Sequence, residues 1–130
     1  MPKVVGAVDQ LGRPVVRVTV AGRDDEMLST VDTGFNGELM MGSGDALQLG
    51  IVVVEDVERV ELGHGQSVFV GVGRLRIRWL DAEREVTVFI NDLRDPKRSG
   101  PIALIGTALL KPHLLLIDFA KDTVEIETQD

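Results

Sequence analysis

Val31-Asp32-Thr33-Gly34, followed by Phe35-Asn36-Gly37, sets one acid between polar and glycine neighbours at the end of the extended run Met27 to Val31. A carboxylate at a strand end is held rigidly, and Gly34 lets a backbone or a ligand approach closely. Thr33 adds a hydroxyl that can bridge to neighbouring backbone. The chemistry open to Asp32 is general acid–base work, although an ordinary Asx turn favours the same residue types. A second element lies about seventy residues downstream: Ala103-Leu104-Ile105-Gly106-Thr107-Ala108-Leu109-Leu110, an apolar strand, a glycine and a short apolar helix. The remaining chemical groups are scattered. His64 and His113 are too few and too far apart for a metal site, and no metal is expected. Asp24-Asp25-Glu26 reads as a solvated turn rather than a cation site. Gly71-Val72-Gly73 precedes a strand, so it lacks the helix that a phosphate loop needs.

Valine-rich runs with a period of two must carry these residues. Val4 to Val8 and Pro14 to Val20 flank the turn signal Asp9-Gln10-Leu11-Gly12 and predict a hairpin. Val68 to Trp79 is the longest extended run, with Leu75, Ile77 and Trp79 on one face and a solvated strip of Arg74, Arg76 and Arg78 on the other. Asp81-Ala82-Glu83 turns it into a strand over Arg84 to Ile90. Val60 to Val68 reads as a hairpin with a Gly63-His64-Gly65 tip, either a cover over a site or a plain surface turn. Helix signals are short: Ser43 to Gly50, with Ser43 as its cap, and Gly106 to Lys111, ended by Pro112. Asn91 to Pro101 reads as a solvated loop, and Met40 and Met41 as core or subsite lining. The class is all-β, a closed or sandwich-like arrangement with one or two short helices.

Length and composition bound the function. One hundred and thirty residues, 44% hydrophobic, make one domain over residues 1–130 with no room for two lobes. Fourteen Lys and Arg against 21 Asp and Glu leave a net charge of −7, which argues against nucleic-acid and anionic-membrane partners. No cysteine means no disulfide and no thiolate nucleophile. No apolar run spans a bilayer and the opening residues lack a leader's apolar stretch, so a cytoplasmic location is expected.

Asp-Thr-Gly early, with two apolar residues, a glycine and a Leu-Leu helix late, resembles the retropepsin-like aspartic proteases. It is most similar to their bacterial and archaeal single-domain members with Asp-Thr-Gly-Phe. The resemblance runs from Val15 to Phe119 and takes in the closing strand Leu114 to Phe119. It implies a closed retropepsin-like β-barrel and an aspartic endopeptidase that uses no cofactor. Such chemistry needs two carboxylates sharing one proton and one water. With one Asp-Thr-Gly per chain, the resemblance implies a homodimer in which Asp32 of each subunit meets its twin across a two-fold axis. Two like charges about 4 Å apart repel by roughly 4 kcal/mol at an effective dielectric of about 20, so the pair keeps one proton. By the same resemblance, Thr33 and Gly34 support the loop, and Ile105 and Gly106 form the turn packed behind it. Gly34, Phe35, Asn36, Gly63, His64 and Gly65 would line an extended peptide or protein substrate.

Two other classes compete: a peptide-binding module on the same dimeric fold without turnover, and a monomeric barrel with an incidental Asp-Thr-Gly turn. The polar Ser29-Thr30 before the aspartate and the short Gly63-His64-Gly65 tip favour the binding module.

Overall fold

The computed structural model describes residues 2–61, 67–91 and 102–129, with backbone alone for residues 53, 55–61 and 67–70. The described residues form ten strands and two short helices. In order these are β1 (Lys3–Val8), β2 (Pro14–Val20), β3 (Glu26–Val31), β4 (Leu39–Met41), α1 (Ser43–Gln48), β5 (Val53–Glu61) and β6 (Ser67–Trp79). Then follow β7 (Ala82–Ile90), β8 (Ile102–Ile105), α2 (Thr107–Leu110), β9 (His113–Asp118) and β10 (Thr123–Thr128).

Six strands close on themselves in the order β6-β7-β4-β8-β3-β2, and β2 returns to β6 through Thr19↔Arg78 and Val20↔Ile77. Closure removes the exposed edges that an open sheet would leave. β3–β8 and β4–β7 are parallel pairs; the other pairings are antiparallel. Alternation decides what enters the barrel. On β2, Val16, Val18 and Val20 are buried while Arg17 is exposed; on β6, Leu75, Ile77 and Trp79 are buried while Arg74, Arg76 and Arg78 are exposed. Met27, Val31, Leu39, Met41, Val86, Val88 and Ile105 complete the interior. Each such side chain contributes roughly 1.5–3 kcal/mol by leaving water.

Two extensions grow from the barrel. β5 pairs with the outer edge of β6. On the other side, β1 pairs with β2 only at Ala7↔Val15 and Val8↔Pro14 and then follows β10 from Ala7↔Thr123 to Lys3↔Glu127. β9 covers β10 and forms the outer strand of the sheet. The expected β1–β2 hairpin is therefore short: β1 lies between β2 and β10 and pairs over two residues with the first and over five with the second.

Other boundaries also move. The β6–β7 turn is Leu80-Asp81, both at positive φ (53° and 66°), while Ala82 and Glu83 already belong to β7. This two-residue left-handed turn matches the twist of the strands it joins. The cap of α1 is Gly42, in extended conformation, and Ser43 is the first helical residue with no capping side-chain bond. β4, β5 before Val60, and β10 lie outside the strands expected from periodicity. The Gly63-His64-Gly65 tip and residues 92–101 of the expected loop lie outside the described residues. Among the described residues, no helix is long and apolar enough to cross a membrane.

Candidate active site

β3 ends at Val31, and the ladder carries one step further: Asp32 N–H donates to the Ile105 carbonyl of β8 at 2.9 Å. The chain then turns. Phe35 N–H donates to the Asp32 carbonyl at 3.1 Å, and Gly34 N–H to Asp32 Oδ1 at 2.9 Å. Asp32 is half-buried, whereas Thr33, Gly34 and Asn36 are exposed. The loop thus presents a carboxylate, a hydroxyl and a bare backbone to the outside.

The turn at Gly106 holds this loop from behind. A helix start leaves its first N–H groups unpaired. Here α2 gives them to the loop: Thr107 N–H donates to the Phe35 carbonyl at 2.8 Å and Ala108 N–H to the Gly37 carbonyl at 3.1 Å. Thr107 Oγ1 adds a bond to the Phe35 carbonyl at 3.3 Å, and Gly106 N–H donates to the Glu38 carbonyl at 3.0 Å. The backbones approach so closely that only glycine fits. A Cβ on Gly106 would overlap the Gly37 carbonyl and come within 2.5 Å of the Phe35 ring. One on Gly37 would overlap the Phe89 ring and lie 2.5 Å from Phe35 Cζ.

Phe35 and Phe89 meet edge to face at 6.0 Å and 74°. Phe35 is 1% exposed. A ring so enclosed offers no surface to a substrate, which corrects the expectation that Phe35 lines the substrate; it is the floor under the loop. Met40 and Met41 are both fully buried, so they are packing residues and not subsite lining. Ser29 is fully buried as well, and its Oγ donates to the Met27 carbonyl at 3.2 Å. The polar step before Asp32 is therefore satisfied inside the barrel wall.

Sequence reasoning missed two supports. Phe89 sits on the outward face of β7, where an aromatic residue among valines was the signal. Glu38 gave none. Its carboxylate accepts from Arg84 Nη2 at 2.7 Å and from Thr87 N–H at 2.9 Å, tying the far end of the loop to β7. Beside the loop lies an open depression of about 430 Å³ lined by Thr33, Thr107, Leu110, Lys111 and Leu115. Among the described residues, no group of three or more His, Cys, Asp or Glu is placed to hold a metal ion.

Asp32, Thr33, Gly34, Ile105 and Gly106 thus come together in one unit, a carboxylate turn carried by β3 and clamped by the β8–α2 corner. A crystal structure of a retropepsin-like aspartic protease from Rickettsia conorii matches this chain with a TM-score of 0.66, covering 97% of this chain and 90% of that one. The fold is retropepsin-like. Sequence identity over that match is 20%, so the likeness is one of architecture. No family model matches the sequence, and no curated protein does. Within the retropepsin-like barrel, the Asp32 turn and the Gly106 corner bring β3 and β8 side by side through the parallel pairs from Leu28↔Ile102 to Val31↔Ile105.

Proposed function

We propose that residues 1–130 form a single-domain aspartic endopeptidase of the Asp-Thr-Gly-Phe kind, working in the cytoplasm as a homodimer on extended peptide or protein substrates. The observation that carries this reading is the Asp32 turn clamped by the Gly106 corner within a retropepsin-like barrel. The relative from Rickettsia conorii is described as an aspartic protease, which supports the same reaction class.

In this reading each subunit supplies one Asp32. The ionised carboxylate takes a proton from a bound water, whose oxygen attacks the scissile carbonyl carbon. The protonated partner carboxyl gives its proton to the carbonyl oxygen, producing a neutral tetrahedral diol. Collapse returns a hydroxyl proton to one carboxylate, breaks the C–N bond and delivers a proton to the leaving amine. Charge repulsion keeps one proton on the pair, so its titration belongs to both residues together. Exposed Thr33 and the adjoining depression supply room for the partner's loop, and the outer strand β9 carries exposed Leu114 and Leu116. With −7 on each subunit, association rests on apolar and backbone contacts. Gly34 and Asn36 would border the substrate, with Gly63, His64 and Gly65 as its cover.

The satisfied Ser29 supports this reading over a binding module without turnover, for which the polar Ser29-Thr30 step is one of two motives. Purified protein is expected to cleave a peptide library at mildly acid pH and to sediment as a dimer. Asp32→Asn is expected to abolish cleavage; undiminished activity in that variant, or a strict monomer that still cleaves, would sink the dyad.

A further inference from the structure

His113 is one of two histidines in the chain and opens β9 just after α2. Its ring meets Trp79 of β6 edge to face, centroids 6.2 Å apart at 62°. The Trp79 indole N–H donates to His113 Nε2 at 3.4 Å. A nitrogen that accepts carries no proton, so this geometry selects the neutral ring with its hydrogen on Nδ1. That Nδ1 is buried and has no hydrogen-bond partner among the described residues.

The surroundings offer no welcome to a charge. β6 contributes the uncharged indole, and β10 contributes Thr128, backbone-paired with His113 and also uncharged. β7 contributes Arg84, and exposed Lys111 stands two residues ahead in the chain. Arg84 in turn donates to the Glu38 carboxylate, which also accepts from the Thr87 N–H.

We propose that the Trp79–His113 pair is a proton-operated latch on the α2–β9 corner, shut while the imidazole is neutral and opened when it takes a proton. Protonation turns Nε2 into a donor facing the indole donor, so the bond between them is lost. It also sets a positive ring beside Arg84, with Nε2–H now facing a donor instead of accepting from it. Burial first, and Arg84 second, hold the proton affinity of His113 below the ordinary histidine value of 6.5. The sign follows. The unfolded chain takes this proton near pH 6.5, the folded chain only at lower pH. The latch therefore contributes fully above about pH 6.5 and is lost as pH falls through the folded value. The corner it closes includes α2, whose first N–H groups hold the Phe35 and Gly37 carbonyls. Opening the latch thus loosens the Asp32 loop; its effect on turnover rests on the catalytic reading above, while the latch itself does not.

Trp79 is the single tryptophan of the chain, so its emission reports on the latch alone. In the full-length protein, the His113 ring resonance, distinguished from His64 with a His64→Asn variant, is expected to titrate with a midpoint below 6.5. Trp79 emission should change with that same midpoint, and the change should vanish in His113→Phe. Asp32→Asn protein, without cleavage, should titrate as the wild type does, which separates the latch from the catalytic reading. A His113 midpoint at or above 6.5, a flat Trp79 emission across it, or loss of the titration in Asp32→Asn would each overturn the latch. Should His113→Phe fail to fold, the wild-type resonance and emission midpoints decide alone.

Discussion

Asp9 and Asp32 each follow a strand, β1 and β3, and each turns its carboxylate back on the backbone N–H two residues ahead. Leu11 N–H donates to Asp9 Oδ1 and Gly34 N–H to Asp32 Oδ1, both at 2.9 Å. From there the two turns diverge. Asp9 also accepts from Arg13 N–H at 2.9 Å and, through Oδ2, from Arg13 Nε at 2.9 Å. The Arg13 backbone N–H foremost, with the Arg13 side chain and the Leu11 N–H, draws the Asp9 carboxyl below its usual range against the opposing effect of burial. Among the described residues, Asp32 has no such arginine, and its backing is backbone and aromatic packing. The same local turn is structural where an arginine completes it and open to chemistry where the support comes from behind.

The widest separation between the two should come from Asp→Asn exchange read by activity. In the proposed homodimer Asp32→Asn removes both carboxylates of the pair and is expected to lower kcat/KM by about 10³-fold or more, while urea unfolding shifts by less than about 0.5 kcal/mol. Asp9→Asn should leave kcat/KM unchanged within about twofold. Equal losses in both variants would break the contrast.

Next in size is the packing beneath Asp32. Phe35→Ala should cost about 3–5 kcal/mol in urea unfolding, since it empties a fully enclosed site against Phe89. Gly106→Ala forces a Cβ into the Gly37 carbonyl and should cost about 1–3 kcal/mol, with activity falling more steeply than stability. A smaller effect is expected at the other turn. Asp9→Asn should lower stability by about 1–2 kcal/mol at pH 7, as two backbone bonds and an Arg13 pair weaken at a partly exposed site.

The smallest expected effect is on the pH profile. The Asp9 carboxyl is drawn below its ordinary value of 3.8, so its contribution is complete above that pH and is lost as pH falls through the lowered value. Arg13→Gln keeps the Arg13 backbone N–H and removes only the side chain, so it should flatten this acid limb of the unfolding curve in part. An unaltered limb in that variant would show that Arg13 does not distinguish the two turns.

Much of this was legible before any coordinates. The alternation of Arg74, Leu75, Arg76, Ile77, Arg78 and Trp79 states which face of β6 is inside, and Asp32 with Gly106 marks the site by type and spacing. What escaped did so for physical reasons. β4 is three residues long and buried on both faces, so Leu39-Met40-Met41 shows no alternation. Val124 and Ile126 do alternate in β10, but the strand is short and its role depends on β1, at the other end of the sequence. Phe35 reads as a substrate contact by position; its burial depends on Phe89, which no local pattern links to it. Ser43 has the preferred capping side chain, yet Gly42 holds the extended geometry that the cap requires.

The shared allegiance of β1 has a consequence for how the molecule assembles. All six barrel strands lie between Pro14 and Ile105, so the barrel can close on its own residues as the chain is made. β1, made earlier, must wait: its two pairs with β2 can form at once, but its five with β10 cannot form until Thr123–Thr128 has been made. The Lys3–Glu125 contact spans 122 positions, and closing a loop of that size costs on the order of 4 kcal/mol in chain entropy. A strand made before the barrel is therefore among the last to be fully paired. Until then the edge of β1 that β10 later covers is open to strangers, which makes the β1–β10 junction the step at which folding and misassembly compete.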